Sequence, residues 1–363
     1  MGNDIAFPAA MDVVDTAEDG AGLELPPLIV REQLEAFLDE HGIGAGRLEA
    51  ERIGEGHSNI TFLLRRGDAR VVLRRPPRPP LPPSAHDVLR EARLLRALEG
   101  TPVRVPSVLA VGDDEDVLGV PFYVMEEMHG SVLASDIPKE LDTPDERART
   151  SEEFVDALVE VHNVDWQACG LEGYGKPTGY LERQVRRFTG LWEHNKTREL
   201  PVVEELGEWL GENMPGSQEA TIVHGDYRLG NVMMADGAPA ELVAIFDWEL
   251  STIGDPLADV GYLTVTWVEA DDPQDTMFAN LGAVTRREGF LSREELIARY
   301  EEGTGRSVSA LNWYQALALW KAAVFMEGNY KRFQTGNSDD EYLGLFDRGV
   351  PMLAEKAREI AHS

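Results

Sequence analysis

Apolar positions recur three and four apart from Leu28 onward. In "LIVREQLEAFLDEHG" they bring Leu28, Leu34, Phe37 and Leu38 near one face, and Gly42 follows as a stop signal, which predicts an amphipathic helix. The period then shortens. "LEAERIGEGHSNITFLLRRGDARVVLRRPP" predicts two strands, with Gly67 and Asp68 as a hairpin turn between apolar alternations. "RPPRPPLPP" excludes both helix and central strand, because proline lacks the amide hydrogen that either would need. "SAHDVLREARLLRALEG" returns to the helical period, with Ser84 as the expected cap. "VPSVLAVGDDEDVLGVPFYVMEEM" predicts two more short strands around an acidic turn. From "SEEFVDALVEVHNVDW" onward helical patterns dominate, broken by "IVHGDYRLGNVMM" and "LVAIFDW", which predict short strands and loops. The expected fold class is α+β: a small antiparallel β amino-terminal lobe with one helix, then a larger, mostly helical carboxy-terminal lobe. The expected boundaries are a flexible acidic tail over 1–26, a first lobe over 27–127 and a second over 128–363.

Composition narrows the function classes. A chain of 363 residues with 43% hydrophobic content has enough apolar material for a two-lobed enzyme. Asp and Glu number 65 against 34 Lys and Arg, a formal net charge of −31. That field repels nucleic acid and anionic membrane, so neither is an expected partner. Lysine is scarce beside arginine, and an acidic, lysine-poor surface suits a halophile's cytoplasm. The single cysteine, Cys169, cannot form a disulfide within the chain and fits a reducing, cytoplasmic location as a packing residue. No apolar run approaches membrane-spanning length, and the first two dozen residues hold no signal-peptide core.

Four stretches carry candidate chemistry. In "IVHGDYRLGNVMM", Asp226 and Asn231 stand five apart, with His224 before them. Phosphoryl transfer needs a carboxylate for the proton of the attacking hydroxyl and oxygen ligands for magnesium, and the kinase loop H-R-D-x-x-x-x-N supplies both at this spacing. Gly225 occupies the position of its Arg. A strand-end turn rich in Asp and Asn would look similar. Asp247 follows an apolar strand in "AIFDWELSTIGDPLADVG", where a second metal-binding carboxylate belongs, with "MADGAP" turning the chain between the two. "GEGHSN" offers Gly54, Gly56 and Ser58 to phosphate oxygens, although a plain glycine turn reads equally well. Arg74, ending "VVLRR", is a cation for the α- and β-phosphates, and Glu91 on the following helix is the carboxylate to orient it.

Taken together, "GHSNITFLLRR", "VVLRRPP", "LREARLLRAL", "VPFYVMEEMHG", "VHGDYRLGNVMM" and "FDWELSTIGDPLADVG" resemble the aminoglycoside phosphotransferase and choline kinase family, with a bilobal protein-kinase-like fold. Within it the chain is most similar to the phosphotransferase domains related to those fused to some acyl-CoA dehydrogenases. The resemblance runs from about Leu28 nearly to the carboxy terminus. It implies an ATP- and Mg2+-dependent phosphotransferase acting on a hydroxyl of a small molecule. It further implies Asp226 as catalytic base, Asn231 and Asp247 as magnesium ligands, His224 as a brace of the loop, and mainly structural roles for Asp255 and Asp259. The strand ending near Met125 would lead into the hinge, with backbone around Glu126 and Met128 binding adenine. Arg74 departs from the lysine of protein kinases; its planar fork changes how phosphate is gripped.

Two other readings stand beside this one. A kinase-like binding module without turnover would be expected to lose its base or metal ligands, and here all three are present. A protein kinase would carry an A-P-E element after Asp247, and "DPLADVG" follows instead. For the acceptor, Arg183 and Arg186 on "YLERQVRRF", together with Arg332 of "NYKRF", form basic clusters in an acidic chain. They suit an anionic acceptor such as a hydroxyacyl thioester of coenzyme A, where an aminoglycoside or choline would want acidic residues. Pairing of these cations with surface glutamates is the competing explanation.

Overall fold

The computed structural model describes residues 12–21, 23–54, 59–78, 86–113, 115–273, 282–337 and 340–363. Contacts divide the chain into two compact units, residues 1–100 with 105–128, and residues 101–104 with 129–363.

In the first unit, β1 (Val13–Val14) and β2 (Ile29–Val30) pair in parallel, and α1 (Ala17–Gly20) lies between them in sequence. Thr16 and Asp19 close a capping box at the start of α1. The stretch expected to be a loose tail is therefore folded from Asp12 onward, except where Gly22 lies outside the described residues. Asp12 explains part of this, since it takes an ion pair from Arg78 at 2.6 Å and its carbonyl accepts from the Leu28 and Ile29 amides. The helical face expected from Leu28 starts later: Leu28 to Val30 run into the strand pair, and α2 covers Arg31–Glu40.

Five strands follow: β3 (Glu49–Ile53), β4 (Ile60–Arg66), β5 (Ala69–Arg75), β6 (Val108–Gly112) and β7 (Phe122–Glu126). They form one antiparallel sheet in the order β3-β4-β5-β7-β6. The β4–β5 turn is the expected one, with Gly67 at φ 58°. Alternate residues Phe62, Leu64, Leu73, Phe122 and Val124 share one core with Leu34, Phe37 and Leu38 of α2. Each such side chain contributes roughly 1.5–3 kcal/mol over leaving it exposed. The unit thus carries α2 as well as α3 (Val88–Leu98), where one helix was expected. Asp87 caps α3 by accepting from the Arg90 amide, in place of Ser84, which lies outside the described residues.

The second unit is mostly helical. It comprises α4 (Pro144–Asn163), α5 (Tyr180–Asn195), α6 (Pro201–Glu212), α7 (Leu257–Thr266), α8 (Arg293–Thr304), α9 (Leu311–Gln334) and α10 (Phe346–Ala361). The long α9 lies at its centre, packed on α5, α6, α7 and α10. Trp313 and Trp320 are buried there, and their indole N–H groups donate to the carbonyls of Leu210 and Val203. Two small antiparallel pairs carry the polar loops: β8 (Thr221–Val223) with β11 (Thr252–Gly254), and β9 (Val232–Met234) with β10 (Leu242–Ile245).

Candidate functional site

Strand β8 is fully buried and delivers the chain into His224, Gly225 and Asp226. Gly225 sits at φ 90°, and a Cβ there would fall 2.9 Å from the Leu250 backbone oxygen. This is why the sequence places glycine where protein kinases carry arginine. His224 is fully buried. Its Nδ1 accepts from the Asp226 amide at 3.2 Å and its Nε2 lies 2.8 Å from the Phe246 carbonyl, so Nε2 carries the proton. Asp259, from the first turn of α7, holds the same loop from beneath. Its carboxylate accepts from the His224 and Gly225 amides at 2.7 and 2.8 Å, and from His162 Nε2 at 3.2 Å. Burial alone would raise the Asp259 carboxyl; His162, His224 and the Gly225 amide overcome it and hold the group below the usual carboxylate range. Burial lowers His162 in turn, with Asp259 opposing. Tyr227 closes the loop by donating to the Phe154 carbonyl at 2.7 Å and stacking on that ring.

Asp226 itself is partly exposed. A 3-10 turn over Leu229–Asn231 brings Asn231 back onto it, and Asn231 Nδ2 donates to both Oδ2 and the backbone carbonyl of Asp226, each at 2.8 Å. With Nδ2 so committed, and no donor reaching Oδ1 among the described residues, that oxygen is the atom Asn231 can offer a cation. The Asn231 carbonyl accepts from the Phe246 amide at 2.8 Å, which fixes the next residue, Asp247, at the neighbouring strand end. Asp247 adopts left-handed backbone angles, φ 63° and ψ 57°. A non-glycine residue pays on the order of 1 kcal/mol for that conformation. Trp248 follows and anchors the turn by donating to the Ile245 carbonyl at 3.0 Å while packing on His224. Among the described residues no three or more His, Cys, Asp or Glu side chains converge as a closed metal cage. An oxygen pair such as Asn231 and Asp247 fits magnesium instead, which draws its remaining ligands from phosphate and water.

Three groups around Asp226 were not legible as site residues in the sequence. Arg228 Nε lies 3.5 Å from Asp226 Oδ2. Tyr262 of α7 hydrogen-bonds the Asp226 carboxylate, and burial together with that charge pushes its hydroxyl well above the usual range. His162 acts through Asp259 alone. Arg228 carried a signal in its closeness to Asp226; Tyr262 and His162 looked like ordinary positions on apolar helices.

The first unit holds a second constellation. Arg74 Nε on β5 donates to Glu91 Oε2 on α3 at 2.8 Å, and both side chains are largely buried. Glu91 lies in the first turn of α3, where the helix dipole favours a carboxylate. Gly54 takes φ 75° just after β3, whereas Gly56 and Ser58 lie outside the described residues. At the end of β7 the Glu126 amide donates to the Ser107 carbonyl at 3.0 Å, and Glu126 Oε1 accepts from the Ser107 amide at 2.8 Å. Glu126 therefore has no spare backbone N–H for a base. Met128 is the last residue of the unit.

The basic residues expected to meet the acceptor are dispersed. The Arg183 guanidinium donates to the carbonyls of Thr178 and Lys176, so it closes the loop that enters α5. Arg186 is exposed on α5, and Arg332 is exposed near the end of α9. Lys331, beside Arg332, donates to the His194 carbonyl at the far end of α5, about 16 Å along the helix from Arg183.

Residues 49–296 match the phosphotransferase enzyme family. Acyl-CoA dehydrogenase family member 11 of Homo sapiens is 34% identical over 336 residues, covering 90% of this chain and 42% of that protein, so the chain spans less than half the length of this relative. A crystal structure from Ralstonia eutropha, assigned as an aminoglycoside phosphotransferase, superposes with a TM-score of 0.78 at 33% identity, over 91% of this chain and 98% of that one. Spectinomycin phosphotransferase, APH(9)-Ia, in complex with ADP and spectinomycin, shares the fold at 11% identity, with a TM-score of 0.59 over 91% and 99%. The fold is that of the kinase-like phosphotransferases, a small antiparallel sheet unit and a larger helical unit.

Proposed function

Since the chain belongs to the phosphotransferase enzyme family, we propose that it transfers the γ-phosphate of ATP to a hydroxyl of a small molecule. The observation that carries this reading is the interlock of Asp226 and Asn231 on a loop braced by His224 and Asp259. A carboxylate held in place yet partly exposed can take the proton of an attacking hydroxyl. As that oxygen bonds to the γ-phosphorus, the bond to the β–γ bridging oxygen breaks and ADP leaves. Asn231 and Asp247 would hold magnesium, which supplies charge neutralisation at the β- and γ-phosphates. Arg74, oriented by Glu91, would serve the α- and β-phosphates, and backbone near Met128 the adenine. That a fold neighbour is solved with ADP supports ATP as the donor.

The acceptor we favour is an anionic hydroxy compound, such as a hydroxyacyl thioester of coenzyme A. The support is that a relative 34% identical to this chain bears the name of an acyl-CoA dehydrogenase family member, while this chain matches only 42% of it.

Asp226→Asn tests the mechanism. It keeps the shape and the contact with Asn231 but removes the proton acceptor. Turnover is expected to fall by about 10²–10⁴ with nucleotide affinity retained, read by single-turnover transfer and nucleotide titration. Full activity in the variant would end the assignment.

A further inference from the structure

Many cations of the second unit have partners. Arg104 bridges Glu153 and Glu160, Arg198 bridges Glu327 and Asp347, and Arg299 pairs with Asp156. Lys196 contacts Glu193 and Glu204, and Lys331 and Arg183 donate to carbonyls. Lys321 differs. It sits partly buried in the middle of α9, and among the described residues no carboxylate or carbonyl meets its ammonium. What meets it is the face of Phe188 on α5, with Nζ 5.0 Å from the ring centroid. The same ring is approached by the Arg187 guanidinium at 6.0 Å and flanked by Trp320 at 6.3 Å. Burial lowers the Lys321 ammonium to about 8, with Asp259 opposing and Arg187 adding to the effect.

A lone, partly desolvated cation is costly, and a chain with 65 acidic residues had many ways to supply a counter-charge. The carboxylate whose charge reaches Lys321 is Asp259, and its oxygens are already committed to His224, Gly225 and His162. Asp259 also holds the loop that carries Asp226, and α9, which carries Lys321, packs on α7, which carries Asp259. A cation without an internal counter-charge, on a helix packed against the one that braces that loop and lined on one side by an aromatic face, fits a ligand that is anionic at one point and hydrocarbon beside it. We propose that Lys321, with Arg187 beside the same Phe188 ring, binds a carboxylate or phosphate group of the phosphoryl acceptor. This rests on the phosphotransferase reading for the identity of its ligand, and it places the anion contact at Lys321 and Arg187 in addition to the arginines expected from the sequence.

The test is calorimetric binding to the full chain, with 3-hydroxybutanoate, 3-hydroxybutanoyl-coenzyme A and butane-1,3-diol as probes. Lys321→Met removes the charge and keeps the stem; Lys321→Arg keeps a charge. We expect Lys321→Met to weaken at least one anionic probe by at least about tenfold. The diol should be unaffected, and Lys321→Arg should restore most of the loss. A response of free hydroxybutanoate identifies a carboxylate as the bound group; a response of the thioester alone identifies a coenzyme A phosphate. The melting temperature of Lys321→Met should hold or rise, since no counter-charge is orphaned and the stem still covers Phe188, whereas a lysine that paired a buried carboxylate would lower it. Unchanged affinity for both anions, equal loss for the diol, or a lowered melting temperature overturns the proposal. Binding is read without turnover. A chain that bound anions through Lys321 but transferred no phosphate would fail the phosphotransferase reading and keep this one. A chain that phosphorylated only uncharged alcohols would do the reverse.

Discussion

His162 shows how far a site residue can act from the chemistry. Its ring contacts Tyr300 and Asp259, and only Asp259 touches the loop of Asp226. Its folded-state value lies below the ordinary 6.5, so folding favours the neutral ring. The stability it contributes is complete above about pH 6.5 and drains away as the pH falls beneath that value, because the unfolded chain then binds the extra proton. Asp259, whose folded value is depressed, adds a second loss only once the pH falls below the ordinary carboxylate value of 3.8. We expect the melting temperature of the native chain to drop between pH 7 and pH 5, and His162→Gln to flatten that drop while lowering the plateau. An equally steep fall in the variant would assign the effect to other groups. None of this was readable from the sequence, because His162 and Asp259 stand 97 positions apart. The contact of Asp226 with Asn231 was readable, because a five-residue spacing allows little else than a tight return. Helical spacing placed Arg183 on a face but could not say that two loop carbonyls lay within its reach.

At the scale of elements, the β9–β10 pair is what sets Asn231 beside Asp247. Val232 is opposite Ile245, and the Asn231 carbonyl accepts the Phe246 amide. The proposed metal ligands are thus held by a ladder, and removing one leaves the other in place. Asp247→Ala is expected to abolish the magnesium-dependent part of nucleotide binding while the chain stays folded; the left-handed φ of 63° also suits Asp247→Gly as a less strained control. Nucleotide affinity that responds to magnesium as before in either variant would reject Asp247 as a ligand. The strands of the first unit and the Arg74–Glu91 contact were legible as well, since period-two runs and an amphipathic helix with one polar residue on its inner face leave few arrangements. The folding of residues 12–21 was not legible. It depends on Asp12 and Asp15 meeting Arg78 and Arg47, cations distant in sequence, and charge alone made the segment look solvated.

At the scale of the whole molecule, the formal charge of −31 remains unbalanced after the arginine pairs are counted, and like charges repel across the surface. Salt shortens the reach of that repulsion to about 8 Å at 0.15 M and about 3 Å at 1 M. If the chain works in a salt-rich cytoplasm, its melting temperature and activity should both rise from low to molar potassium chloride. A flat or falling curve would reject that setting. Among the described residues no helix is long and apolar enough to cross a membrane.

Arg104 carries a last consequence, which concerns where the chain can be cut. Residues 101–104 belong to the second unit although 105–128 return to the first, so the backbone passes from one unit to the other three times. A fragment starting at His129 would lack Arg104. Glu153 and Glu160 would then lose their shared cation, and the Ile245 amide, two residues before Asp247, would lose the carbonyl it donates to. Neither unit is one uninterrupted stretch of the sequence. Any recombination that kept Glu153, Glu160 and the strand before Asp247 with their partner would have to bring the four residues from Thr101 to Arg104 along.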